Sequence, residues 1–198
     1  MVWVMERLVN MSKESISENH FVAVPNSLRK CIGLSANDKD VLYDILWSIN
    51  DNESCFPSKS TIAERLNIGE STVGRSLNKL HSMYFLNIEN RVGTSNLYSI
   101  CLLEDNPYLI ISELTHWYKK RYKTVDVPKN FCKSKVSKAI SKYLAEKHKE
   151  YADRLFDCCS NEDYNSVLEN FLEEMNKYVV NATNVKIEYK WNKEVPLF

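Results

Sequence analysis

The sequence has 198 residues, enough for one large or two small domains with a real core. Basic and acidic side chains number 26 each, so the net charge is zero, and no apolar run reaches the roughly 18 residues that a membrane-spanning helix needs. Six cysteines without a C-x-x-C pair and four scattered histidines give no zinc-ligand spacing, so the thiols read as reduced, semi-buried fillers of a cytoplasmic protein.

Residues 1–19 read as a flexible N-terminal segment, too short and mixed at their start for a signal peptide. Ser35-Ala36-Asn37-Asp38 is a capping box, a serine followed three residues later by an acid. It opens a helix to about Ile49, with Val41, Leu42, Ile45, Leu46 and Ile49 on its apolar stripe. Asn50-Asp51-Asn52 ends that helix, and Cys55-Phe56 reads as a short strand. Pro57-Ser58 then opens a second helix, with Ser58 as N-cap, that runs to Leu66.

Asn67 can take the left-handed conformation and Gly69 can cap a third helix, so Asn67-Ile68-Gly69 reads as a tight turn between two helices. At about 100° per residue, Val73, Leu77, Leu80 and Tyr84 of the third helix share one stripe. Ser71, Arg75, Asn78 and Ser82 lie opposite, with Lys79 at their edge. That free face carries modest hydrogen-bonding groups. Arginine can bond guanine bidentately, asparagine adenine, and serine either phosphate or a base edge. Gly74, in mid-helix, costs about 1 kcal/mol against alanine; it either admits DNA closely or is simply tolerated. Phe85–Glu89 and Leu97–Leu102 are β-prone runs around a polar loop with Gly93 at the bend. The tip of this hairpin offers Arg91, Thr94, Ser95 and Asn96 to a DNA backbone or minor groove.

The stretch from Phe56 to Ile100, "FPSKSTIAERLNIGESTVGRSLNKLHSMYFLNIENRVGTSNLYSI", resembles the winged helix-turn-helix of bacterial regulators and of phage or plasmid replication proteins. The shared pattern is a Pro-Ser before helix two, an Ile-Ala start, a Thr-Val in helix three and a Leu-x-x-Leu followed by a strand. "FVAVPNSL", Phe21 to Leu28, is similar to the lead-in of plasmid and phage replication initiators. The pattern usually has glycine where Asn67 stands and serine where Gly69 stands; both replacements suit the turn's conformation. The resemblance implies a DNA-binding domain over residues 20–104. Its candidate DNA-binding residues are Ser58, Ser60, Ser71, Thr72, Arg75, Asn78, Lys79, Arg91, Thr94, Ser95 and Asn96.

Beyond Asn106-Pro107, Tyr108–Tyr122 reads as a connecting helix within residues 105–126, with Leu109, Leu114 and Trp117 apolar. Its terminal Lys119-Lys120-Arg121 either complements the helix dipole or contacts phosphate beside the hairpin. Val127-Pro128 reads as a hinge into a helical C-terminal domain, 127–198. There one helix buries Val136, Ile140, Tyr143, Leu144, Tyr151 and Leu155, while Lys135, Lys138, Lys142 and Lys149 line its other face, either solvated or as a second DNA contact. Lys147 interrupts the apolar stripe and must snorkel or pair. Asp163–Val180 reads as a further helix and Val185–Trp191 as a strand. Two amphipathic helices alone leave apolar faces uncovered, so a homodimer through them is expected.

The expected fold is mainly α with a small β-hairpin wing: a winged helix-turn-helix followed by a helical C-terminal region. Residues 105–150 carry 11 basic and 5 acidic groups, and 151–198 carry 5 and 9. That asymmetry suits phosphate, or pairing within an assembly. Nucleotide-binding glycine loops and the H-E-x-x-H zinc motif are absent, so no enzyme, cofactor, metal or small-molecule ligand is expected. The expected function is sequence-specific binding of double-stranded DNA in the cytoplasm, on the nucleoid. The chain would act as a dimeric transcription regulator (a repressor), as a replication initiator on repeated origin sites, or as a winged-helix protein-protein adaptor.

Overall fold

The computed structural model describes residue 24, residues 26–49 and residues 52–191. The expected flexible segment 1–19, Phe21–Ala23 and Pro25 of the Phe21–Leu28 lead-in, and Asn50-Asp51 of the helix stop fall outside these residues. The chain divides into two compact units, the first closing at Leu103 and the second formed by Lys30–Gly33 with residues from Glu104 onward.

The first unit holds α1 (Asn26–Arg29), α2 (Ala36–Ile49), α3 (Lys59–Leu66), α4 (Glu70–Ser82), β1 (Leu86–Glu89) and β2 (Leu97–Ile100). The capping box forms as expected: the Ser35 amide donates to Asp38 Oδ2 at 2.8 Å and the Asp38 amide to Ser35 Oγ at 3.3 Å. Ser58 caps α3 through the Thr61 amide at 3.0 Å. At the end of α3, Asn67 takes φ 53°. Its N–H donates to the Glu64 carbonyl and that of Ile68 to the Ala63 carbonyl, the two bonds of a Schellman turn. This geometry lets α4 start three residues later, with Gly69 as its N-cap.

Val41, Leu42 and Ile45 of α2, Ile62 of α3, and Val73, Leu77 and Leu80 of α4 are buried together with Phe85 and Leu86. Tyr84 is a correction. It does not continue the α4 stripe, because α4 stops at Ser82 and Tyr84 sits at φ 59°. The left-handed residue reverses the chain and sends Met83 and Phe85 inward in its place. The β1–β2 hairpin is antiparallel, with Leu86 opposite Ile100 and Glu89 opposite Leu97. The strand expected at Cys55-Phe56 is a single bridge: Cys55 and Tyr98 exchange backbone bonds of 2.9 and 2.8 Å.

The second unit holds α5 (Pro107–Arg121), β3 (Lys123–Val125), α6 (Lys133–Phe156), α7 (Asn161–Thr183) and β4 (Lys186–Glu188). Asn106 caps α5 with its side chain, and Pro107 opens the helix where no amide is needed. The helix expected to connect two domains is instead part of this core. Ile110, Ile111, Leu114, Trp117 and Tyr118 pack in one cluster with the apolar faces of α6 and α7. The Tyr118 hydroxyl also donates to Asn176 Oδ1 at 2.7 Å. The stripes expected to need a second chain are therefore covered by α5. Residues 30–33 join the same unit, where the Ile32 amide donates to Ser112 Oγ at 2.8 Å. Lys147 pairs with Glu150 at 2.6 Å. The strand expected over 185–191 is shorter, and it pairs antiparallel with β3, an unforeseen strand, Thr124 facing Ile187. Among the described residues no helix is long and apolar enough to cross a membrane.

Candidate nucleic-acid interface

The outer face of α4 exists because its inner face is spent on the core. Val73, Leu77 and Leu80 are buried against α2 and α3, and helical geometry then turns Ser71, Arg75, Asn78 and Ser82 outward, all exposed or half-buried. Arg75 lies along its own helix, donating from Nε to the Ser71 carbonyl at 3.3 Å and from Nη2 to Thr72 Oγ1 at 3.2 Å. Those bonds engage two of the five donors of a guanidinium and leave the rest of its edge for a ligand.

Beneath that face lies a buried polar clamp. Asp38, only 5% exposed, accepts from the Ser35 amide, from Ser76 Oγ at 2.7 Å and from Lys79 Nζ at 2.8 Å. Burial alone would raise its carboxyl pKa. Hydrogen bonds from Lys79, Ser35 and Ser76 outweigh it and hold the group at about 2. Lys79, expected at the edge of the DNA-facing surface, therefore spends its ammonium on α2. A second latch joins α3 to α2: Arg65 Nη2 stands 3.0 Å from Asp44 Oδ2, with the guanidinium over the Trp47 ring.

In the hairpin, Gly93 turns at φ 75° and Arg91 braces the loop. Arg91 Nε donates to the Ser95 carbonyl at 2.8 Å and its guanidinium lies over the Phe56 ring. Thr94 is exposed at the tip, while Ser95 and Asn96 are half-buried. Ser58 has its hydroxyl occupied as the α3 cap, within 2.7 Å of the hydroxyls of Ser60 and Thr61. The expected residues thus divide. Ser71, Arg75, Asn78 and Thr94 are exposed, Arg75 with its two bonds along α4, whereas Ser58, Thr72, Lys79 and Arg91 are half-buried and bonded within the unit.

Between α4 and the hairpin runs a groove of about 180 Å³, lined by Lys59, Asn78, His81, Asn90 and Asn96 over a floor of Leu77, Ile88 and Tyr98. Lys59, His81 and Asn90 were not singled out from the sequence. His81 was legible as the residue three after Asn78 on the same helix. Its Nδ1 lies 2.8 Å from the Leu86 carbonyl, which can only accept, so Nδ1 carries a hydrogen and the Nε2 edge is the one turned away from that bond. Lys59 reaches α4 where Gly74 leaves room, its Nζ 3.9 Å from where a β-carbon at that position would sit. An alanine therefore fits at 74, and Gly74→Ala is expected to stabilise the chain by about 1 kcal/mol in urea denaturation. A lowered midpoint would show that residue 74 is packed more tightly than this.

Residues 33–86, from the lead into α2 through the first residue of β1, match the model of a family described as a helix-turn-helix domain. No curated protein and no solved structure matches the chain. The matched segment contains α2, α3, the Asn67 turn and α4, and a helix-turn-helix domain with this exposed polar face points to DNA binding.

Proposed function

We propose that the chain is a sequence-specific double-stranded DNA-binding protein, a transcription regulator of the repressor type. In this reading α4 enters the major groove and the hairpin acts as a wing on the adjacent backbone or minor groove. The observation that carries the reading is the pairing of an outward Ser71-Arg75-Asn78-Ser82 face with a fully buried Val73-Leu77-Leu80 face on one short helix. Surface helices usually present mixed Glu and Lys, whereas this one presents base-reading groups of modest size.

A homodimer would double the few bases that one α4 can read. Its support is this geometry of recognition, because the apolar faces of α6 and α7 are already covered by α5. The reading requires no catalytic residue or cofactor. A second reading, a replication initiator on repeated origin sites, is favoured by the similarity of Phe21–Leu28 to initiator lead-ins. Selection of duplexes from a random pool by the full chain tests these readings. Enrichment of an inverted repeat with half-sites about 10 base pairs apart is expected for the dimeric regulator, and tandem direct repeats for the initiator. Recovery of no sequence motif would overturn both and leave the protein-protein adaptor.

A further inference from the structure

The helical unit carries a charge pattern that its own folding explains only at the end of α5, where Lys119, Lys120 and Arg121 complement the helix dipole and the Arg121 guanidinium lies over the Trp117 ring. Residues 114–145 contain nine lysines and arginines and a single acid, Asp126. All nine basic side chains are exposed. Among the described residues, none of them lies within ion-pair distance of a carboxylate. Further along α6 the pattern changes: Lys147 pairs with Glu150 and Lys149 with Asp153. On α6 the lysines that have a local electrostatic use are thus the later ones.

The earlier lysines act against their own helix. Lys133 and Lys135 occupy the first turn of α6, which has no acidic residue, and a cation there opposes the helix dipole. Lys135, Lys138 and Lys142 repel one another along the face turned away from the Val136-Ile140-Tyr143 core. From Lys135 to Lys142 the row extends about 10 Å along the helix axis. Such a row, with side chains long enough to adjust, suits a chain of phosphates.

Resting on the reading that the chain binds DNA, we propose that the first turns of α6, with the basic end of α5, form a second DNA contact, one that grips the phosphate backbone without reading sequence. Each lysine on a phosphate releases condensed counterions, which steepens the salt dependence of binding but leaves base preference unchanged. The wild-type chain and its K135Q/K138Q/K142Q variant are titrated with a random-sequence duplex over a salt series. Thermal melts of both check that the exposed substitutions leave the fold intact.

The slope of log affinity against log salt is expected to become shallower by about 2–3, with binding on the order of 100-fold weaker at about 0.1 M salt. If wild type and variant bind the duplex with the same slope and affinity, the proposal falls while the α4 reading stands. If the wild-type chain binds no duplex, both fall. A variant that changes the chain's mass in light scattering, at unchanged slope, would also overturn the proposal. The lysines would then meet an acidic protein surface, such as Glu162, Asp163 and Glu169 on the α7 of a second copy.

Discussion

Asp38→Ala is expected to destabilise the helix-turn-helix unit by about 3 kcal/mol, the loss attached to a broken, largely buried ion pair. The carboxylate joins three things: the N-terminus of α2 through the Ser35 amide, the buried Ser76 hydroxyl, and the Lys79 ammonium at 2.8 Å. Removing it leaves a buried hydroxyl and an ammonium without their acceptor and takes away the capping-box bond that the Ser35 amide makes at the start of the helix against which α4 packs, while the Ser35 hydroxyl keeps its bond to the residue-38 amide. Lys79 is partly exposed and can turn to water, which keeps the cost at the lower end of the range for buried pairs. The same clamp sets a pH dependence. In the unfolded chain this carboxyl titrates at its ordinary 3.8, and in the fold at about 2. The fold prefers the ionised form, so the contribution is complete above the unfolded value and is lost as pH falls through 3.8 towards 2. The titrating part amounts to about 2 kcal/mol. Urea denaturation followed by circular dichroism should show a large gap between wild type and variant at neutral pH, and a smaller gap in acid. Equal midpoints at neutral pH would show that the clamp contributes nothing.

Arg75→Ala is expected to leave stability within about 0.5 kcal/mol of wild type, because the side chain lies on the surface and its bonds run only along its own helix. Its effect belongs to recognition. A bidentate arginine–guanine contact carries about 1–3 kcal/mol of discrimination, so affinity for a selected duplex should fall roughly 5- to 150-fold. Affinity for random duplex should fall far less, since only one positive charge is removed. Fluorescence anisotropy at matched salt with both duplexes separates the two effects. Equal losses on both would make Arg75 a phosphate contact and remove it from base readout.

The parts of this fold governed by local chemistry were legible in the sequence. The Ser35–Asp38 box, the Ser58 cap, the left-handed Asn67 and the two faces of α4 each arise from residues within a turn or two of one another. The Gly93 hairpin arises in the same way. The failures have longer reach. Asp38 reads as a cap because Ser35 is three residues away, while its bonds to Ser76 and Lys79 cross 38 and 41 residues and leave no local trace. Lys79, expected at the edge of the DNA-facing surface, accordingly reaches from α4 to Asp38 of α2, with its side chain still 42% exposed. Tyr84 matches the α4 period, but an aromatic residue can take the left-handed stop when Met83 and Phe85 gain burial by it.

The misplacement of α5 had a readable cause. Tyr108-Leu109-Ile110-Ile111 puts apolar groups on every side of its first turn, the mark of a helix buried all round. The Lys119-Lys120-Arg121 tail at its far end has the composition of a solvated surface helix. The β3–β4 pair joins two three-residue segments about sixty positions apart, too short for a periodic signal.

In the proposed function α4 meets the base edges of duplex DNA. Photocrosslinking of the full chain to a selected duplex with iodouracil in place of thymine reports which peptides touch the major groove. Crosslinked peptides from Glu70–Ser82 are expected, with backbone-facing surfaces elsewhere contributing none. Crosslinks confined to residues 104–191, with none in Glu70–Ser82, would contradict the assignment of α4 as the reading helix.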